Sequence, residues 1–331
     1  MKYADRKNPP PPKKVSLVTG GAGFIGSNLV DRLIKLGHHV IIIDNLSTGK
    51  SGNINKKAIF PNLCDFAEVE NEGFDNQFNE LKSWLGKYGQ KRIDYIFHLG
   101  ALPRVPLSIE QPLKTNHVNV RGTINILNLA KEVGAKVIYA GSSSIYGNNK
   151  TPFFEDMKPD PQSPYALQKL MSEEYCRLYS QIHGIKTVAC RFFNVYGKNM
   201  AFCGSYVTVM SVWIKQMKAN KDITIFGDGN QTRDFTHVSD IVAGLIAAME
   251  HKQVNNFEVY NLGYGNPVKL NKLADLLCGK HPRKYLPKRL GDVDKTYACN
   301  GKAREILKWT PKVGIKAGVE EIKSLYLDKK S

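Results

Sequence analysis

The sequence predicts an α/β protein: a doubly wound parallel sheet from Val15 to about Phe193, followed by a smaller mixed α/β C-terminal region. Three observations predict it. Short apolar runs recur as buried strands, segments with apolar residues at helical spacing separate them, and the first run ends in a glycine-spaced turn that opens a helix. Strands alternating with helices make βαβ units and a parallel sheet covered on both faces. Right-handed crossovers then impose the doubly wound layout.

VSLVTG (15–20) is a short apolar run ending in glycine. IGSNLVDRLIKLG (25–37) carries Ile25, Leu29, Leu33 and Leu36 on one helical face and stops at Gly37. HHVIIIDN (38–45) is the second strand. A third is expected around AIFPNLCD (58–65), weakened by Pro61, which cannot donate to a ladder. IDYIFHLG (93–100) and KVIYAGSS (136–143) are further strands, separated by a helix through VNVRGTINILNLAKEVG (118–134). TVACRFFN (187–194) is expected to close the series after a helix that begins near Tyr165. Beyond Asn194 we expect a helix near 206–219, short strands at ITIFG and DFTHV, a helix from Ser239, and helices near 270–278 and 316–327. The domain expectation is a proline-rich arm over 1–13, a first domain over 14–194, and a second over 195–331. The chain is expected to cross back to the first domain near 228–262.

The 331 residues are 42% hydrophobic, with no apolar run long enough to span a membrane. The start, MKYADRKNPPPPKK, lacks the apolar core of a signal peptide. Six cysteines (Cys64, Cys176, Cys190, Cys203, Cys278, Cys299) show no CxxC pair and no metal spacing, so free thiols in the reducing cytoplasm and no metal are expected. Formal net charge is +17. The charge is spread along the chain with no aromatic-interleaved basic motif, so a basic solvated surface is expected rather than a nucleic-acid partner.

VTGGAGFIG (18–26) places Gly20, Gly23 and Gly26 at GxxGxxG spacing between a strand and a helix. A pyrophosphate must approach this backbone closely, and the helix start supplies amide donors, so the loop predicts a Rossmann dinucleotide site. Phe24 and Ile25, in the same turn, are counted among the cofactor contacts. Asp44 ends the second strand at the interval expected for a ribose-binding acid and would repel a 2′-phosphate, so NAD is favoured over NADP. Asn45 follows it, and Asp65 with Phe66 is assigned to the adenine side.

YAGSSSIYG (139–147) puts Ser142, Ser143 and Ser144 at the C-terminal end of a parallel strand, where open α/β sheets bind ligands. QSPYALQKL (162–170) places Tyr165 four residues before Lys169, behind a Ser163 cap and Pro164 at the first turn. A free phenol has a pKa of about 10. A nearby ammonium and an oxidised nicotinamide would lower it and make Tyr165 a base, with Ser142 holding the reacting oxygen.

Together, TGGAGFIG, SSSIYG, YALQK, RFFNVYG, GDGNQTRDF and RLGDV resemble the extended short-chain dehydrogenases, within them the nucleotide-sugar epimerase/dehydratase group, from about Lys14 to Leu327. Among these the sequence looks most like UDP-glucose/UDP-N-acetylglucosamine 4-epimerases. The resemblance implies Tyr165 as acid/base, Lys169 as its electrostatic partner, and Ser142 bridging to the sugar 4-oxygen beside Ser143. It implies Leu99 and Ala101 along the NAD channel, supported by Asn119 (alternatively Asn116), and Phe193 and Asn194 beside nicotinamide and sugar phosphate. Arg233 and Arg289 would clamp the diphosphate of a UDP-sugar, with Asp292 on the ribose and Ile225 and Phe226 near the uracil. Guanidinium forks suit phosphate oxygens independently of any family. The serine run lacks the Asp-Glu pair of 4,6-dehydratases, which argues against dehydration. Thr296 stands where a bulky residue would crowd the sugar 2-substituent, leaving room for an N-acetyl group. The alternatives are UDP-glucuronate epimerisation or decarboxylation, against which Asn194 replaces a common threonine, and a non-catalytic NAD-binding or nucleic-acid-associated scaffold. A homodimer through the helices near 111–132 and 164–183 is implied by the same family.

Overall fold

The computed structural model describes residues 14–60, 92–202, 207–252, 255–288 and 293–328. Its centre is a six-stranded sheet, entirely parallel. The strands are β1 (Val15–Thr19), β2 (His39–Ile43), β3 (Tyr95–His98), β4 (Lys136–Ser142), β5 (Thr187–Phe192) and, after the short β6 (Asn194–Tyr196), β7 (Ile223–Phe226), β8 (Thr232–Arg233) and β9 (Phe235–His237), the late strand β10 (Phe257–Leu262). The order is β10-β5-β4-β3-β1-β2. The chain winds outward in opposite directions from β1 and β3, which opens a crevice over their C-terminal ends.

Each crossover helix follows from local chemistry. The first, α1 (Phe24–Lys35), buries Phe24, Leu29, Val30 and Leu33 and ends with Arg32 and Lys35 at its negative pole. Two short helices, α2 (Val105–Glu110) and α3 (Pro112–Asn116), lead through a π-turn at His117–Arg121 into α4 (Gly122–Val133). Ser163 caps α5 (Pro164–His183) by accepting the Ala166 amide at 3.2 Å, and Gly184 stops it at φ +69. Then come α6 (Val209–Lys218) and α7 (Val238–Glu250). After β11 (Val268–Lys269) follow α8 (Leu270–Cys278), β12 (Arg283–Leu286), α9 (Gly301–Ile306) and α10 (Ile315–Tyr326).

The period-2 rule divides the core by sheet face. Val15, Leu17, Val137 and Tyr139 pack with Ile126, Leu129 and Cys176 from α4 and α5. Val18 and Ile138 face the other way, onto Leu29 and Leu33 of α1, Ile241 and Leu245 of α7, and Trp213 and Trp309 of the later region. Small paired strands carry the rest: β6 beside β9, β7 beside β12, and β8 antiparallel to β11.

Of the expected third strand, Ile59 makes a parallel bridge to Ile41, and residues 61–65 lie outside the described residues. One sequence expectation is corrected. The strand TVACRFFN does not close the sheet, because β10 pairs along its full length on the far side. Among the described residues no helix is long and apolar enough to cross a membrane. Cys176, Cys190, Cys278 and Cys299 are free thiols, the first two fully buried, and the described residues hold no cluster fit for a metal.

Candidate active site

A cavity of about 780 Å³ opens over the C-terminal ends of β1, β3 and β4. The glycine turn forms one end. Gly20 takes φ +68, its amide reaches the Ile43 carbonyl at 2.8 Å, and its carbonyl accepts the Gly23 amide at 3.0 Å. A Cβ on Gly26 would stand 2.0 Å from the Gly20 oxygen, so helix and loop can meet only at glycine. A Cβ on Gly23 would meet that oxygen alone, at 3.1 Å. The space beside Gly23 therefore belongs to the cavity, and α1 begins there with no side-chain cap and no acidic residue in its first turn. A positive helix end beside a glycine that leaves its flank open fits a pyrophosphate. Phe24 and Ile25 line the same wall.

Asp44 is buried on the cavity wall, its two oxygens accepting the Ala22 amide at 2.9 Å and the Leu46 amide at 2.8 Å. Burial pushes its pKa up and those amides pull it down. A carboxylate keeps acceptor capacity beyond two bonds. Exposed Asn45 also lines the cavity.

Leu99, Gly100 and Ala101 form the facing wall. Thr19 Oγ1 accepts the Leu99 and Gly100 amides at 3.1 and 3.0 Å. His98, buried, bridges Thr19 and Thr123 through its two ring nitrogens at 2.8 and 3.1 Å. Burial, reinforced by Lys169, pushes its pKa down to about 3, so it is a neutral strut. Asn119 stands behind this wall and does not line the cavity. Its amide donates to Leu102 O at 3.2 Å and Gln168 Oε1 at 2.9 Å, and its oxygen accepts the Leu102 amide at 2.8 Å. This corrects its assignment as a cofactor contact: its side-chain bonds hold the loop to α5. Asn116, the alternative, is exposed at the end of α3.

Ser142, Ser143, Tyr165 and Lys169 converge on the cavity floor. Ser142 ends β4 and caps the single 3-10 turn Ser143–Tyr146, meeting Ser144 Oγ at 2.9 Å. Tyr165 opens α5, its amide held by Ser108 Oγ at 3.0 Å. Its phenol is pushed up to about 12 by burial, against which the Ser142 hydrogen bond acts. Lys169 is buried, donates to the Ala140 carbonyl at 2.8 Å, and is pushed down to about 8 by burial. The expected lowering of the phenol is thus corrected for the protein alone: desolvation outweighs every favourable group the chain provides.

On the substrate side Phe193, Asn194, Arg233 and Thr296 line the cavity. Thr296 Oγ1 donates to Asn194 Oδ1 at 3.2 Å and accepts the Asp234 amide at 3.0 Å, fixing strand ends to one another. Arg233 also borders an adjoining cavity of about 430 Å³ with Gly227, Asp228 and Lys288. Phe226 precedes Gly227 on the part-buried face of β7. Ile225 does not reach either cavity: it is buried in the core, because adjacent strand residues point to opposite faces. Asp65, Phe66, Arg289 and Asp292 lie outside the described residues.

The chain matches the NAD dependent epimerase/dehydratase family over residues 16–263, three quarters of its length. It belongs to that family. It is accordingly an enzyme of the extended short-chain dehydrogenase type, and its cofactor is NAD. It is 37% identical over 315 residues to a putative UDP-glucose 4-epimerase of Methanocaldococcus jannaschii, an alignment covering 92% of this chain and 96% of that one. Among solved structures it resembles a UDP-glucose 4-epimerase of Thermotoga maritima with UDP-glucose, at TM-score 0.84 and 32% identity over 94% of this chain and 99% of the other. It also resembles a UDP-glucuronic acid 4-epimerase of Bacillus cereus in complex with UDP-glucuronic acid and NAD, at TM-score 0.82 and 32% identity over 94% and 100% of the two chains.

Sequence reasoning passed over several residues that shape this site. Lys114, His117 and Gln162 line the cavity. Thr19 and His98 brace its wall from within strands that read only as apolar runs. Glu173 continues the Tyr165–Lys169 spacing by one more turn and pairs with Arg191, both buried. That repeat of four was the signal available for it.

Proposed function

We propose that this enzyme inverts C4 of a UDP-sugar, UDP-GlcNAc/UDP-GalNAc or UDP-Glc/UDP-Gal, through a 4-keto intermediate, as a step in making surface glycan precursors. The observation that carries the reading is the convergence of Ser142, Tyr165 and Lys169 on one cavity whose other end is the Gly20–Gly26 turn. The turn, Asp44 and the Leu99–Ala101 wall would hold NAD, which would supply a hydride acceptor and, for the return, a hydride donor. Tyr165 takes the C4-hydroxyl proton and gives it back to the C4 oxygen when hydride returns to the opposite face of the carbon, and Ser142 orients that oxygen. Lys169 holds positive charge where phenolate forms. Arg233 anchors the diphosphate away from the reacting carbon, so the ring can turn while tethered. Thr296, small and already bonded to Asn194, leaves space near the sugar 2-substituent.

The test is incubation of the purified protein with a panel of UDP-sugars, without added NAD, followed by proton NMR. Appearance of the C4 epimer supports the proposal. Inversion restricted to UDP-glucuronate, or carbon dioxide release from it, moves the assignment to the enzyme activities of other relatives, among them a UDP-glucuronate 4-epimerase of Thermodesulfobacterium geofontis. No turnover of any sugar would leave an NAD-binding scaffold. On α5, Leu167, Met171, Leu178 and Ile182 make one exposed apolar stripe, with exposed Ile109 and Leu113 on α2 and α3. That stripe supports docking of a second copy of the chain, which light scattering would check: a dimer mass for the protein and a monomer mass for Leu178→Glu.

A further inference from the structure

Tyr146 closes the single helical turn that Ser142 caps. Its ring stacks on Phe153 at 4.7 Å between centroids, and its hydroxyl donates to Asn261 Oδ1 at 2.7 Å. The same hydroxyl accepts from Arg191 Nη1 at 2.6 Å. Burial pushes this phenol up to about 12, so it stays protonated and keeps donating. Arg191 lies opposite Gly141 in the β4–β5 register, where a Cβ on Gly141 would stand 3.3 Å from Arg191 Cγ. Its Nε and Nη2 meet the two carboxylate oxygens of Glu173 at 3.1 and 2.6 Å, and Nη1 reaches Glu155 O at 2.9 Å. Glu173 sits on α5, one turn beyond Lys169 and two beyond Tyr165. A single guanidinium therefore joins the serine turn to the helix that carries the base. Its charge is matched by Glu173, so what it contributes near the cavity is geometry.

A second tie closes the other side of the turn. The Asp160 amide donates to Ile145 O at 2.8 Å and Asp160 Oδ2 accepts the Asn148 amide at 3.1 Å. Gly147, at φ +54, packs so tightly that a Cβ would come within 1.7 Å of the Asp160 carbonyl oxygen. From Asp160 the chain runs directly to the Ser163 cap of α5.

We infer that Tyr146 and Arg191 are positioning residues, which hold the Ser142 turn against α5 at the Ser142–Tyr165 spacing that proton transfer requires. The inference rests on the C4-epimerase reading and deepens it. Tyr146→Phe keeps the stacked ring and removes only the hydroxyl. Assayed on UDP-GlcNAc and UDP-glucose with the protein as purified, it should lower kcat about ten- to hundredfold, with KM changed less than about twofold because the nucleotide anchors are untouched. The acid limb of kcat should also move to higher pH, since a slackened Ser142 bond favours the phenolate less. The Ser142 hydroxyl bonds Tyr165; among the described residues the titratable groups near it are Tyr139 on β4 and, on its own helix and the same cavity, Lys169. Tyr260→Phe is the control: that hydroxyl meets Glu258 at 2.6 Å on the outer strand β10, and its loss should leave kcat unaltered whatever it does to the melting temperature. An unchanged kcat in Tyr146→Phe, or equal losses in both variants, overturns the inference. Failure of the epimerase reading itself is separable, because it appears as absent inversion by the wild type. In that case the carbon-13 signal of the Tyr165 ring, assigned with Tyr165→Phe, still decides: an upward titration shift in Tyr146→Phe upholds the positioning role and no shift overturns it.

Discussion

The Lys169 ammonium donates to the Ala140 carbonyl at 2.8 Å, two residues before the strand end at Ser142. Burial holds that ammonium down at about 8, well below its ordinary range, so the charge is lost as pH rises through that value. We expect kcat to fall on the alkaline side with a midpoint near 8, read from initial rates of C4 inversion across neutral to basic pH. Lys169→Met should abolish this limb and cost about a hundredfold or more in rate.

Tyr165→Phe should suppress inversion about a hundred- to ten-thousandfold. The ring still fills its place and the glycine turn is untouched, so NAD should co-purify as in the wild type. Absorbance of the cofactor released on denaturation checks this, and near-normal turnover would remove Tyr165 as the base.

Gly23 and Gly26, the second and third glycines of the loop, should separate ligand from fold. Gly26→Ala forces a methyl to 2.0 Å from the Gly20 oxygen, which strains helix and loop together, so a loss of stability of several kcal/mol is expected. Gly23→Ala meets only one atom at 3.1 Å, so melting should move little while NAD retention falls at least about tenfold. Equal melting shifts in both variants would contradict the space assigned to the pyrophosphate.

Asp234 is fully buried and accepts the Ala298 amide at 2.9 Å and the Gly265 amide at 3.0 Å, yet burial raises its pKa to about 6. The folded state therefore binds a proton that the unfolded chain has released, and stability falls as pH rises from about 4 to about 6. Thermal melting across that window should show the decline. Asp234→Asn should flatten it while lowering stability by about 1–3 kcal/mol at neutral pH, since one acceptor is lost.

Where burial is two-sided, the sequence was easy to read. The strands β1, β2 and β4 are continuous apolar runs because both faces are covered, and Ser163–Pro164 announced α5 through its cap. The third strand read weakly because of Pro61, and its described part makes one bridge to β2. Parity separates Ile225 from Phe226: in a strand with alternate burial, only one of two neighbours can face a ligand. The family resemblance put Asn119 on the cofactor side, but the π-turn His117–Arg121 points His117 and Val118 at the cavity and leaves Asn119 bonded to Leu102 and Gln168. The Tyr165–Lys169 pair was visible as a spacing, whereas the phenol's upward shift was not, because desolvation depends on everything packed around the ring. Arg191 read as one more residue of an apolar strand, since its partner Glu173 lies on another element.

Because β10 is added to β5 only after β6 to β9, α6 and α7 have been made, the growing chain leaves the ribosome with an apolar strand edge bare for a long interval. Val188, Ala189 and Cys190 wait there until Phe257–Leu262 arrives. A chain cut short anywhere between Asn194 and Phe257 would carry that edge permanently, ready to recruit strands from other molecules.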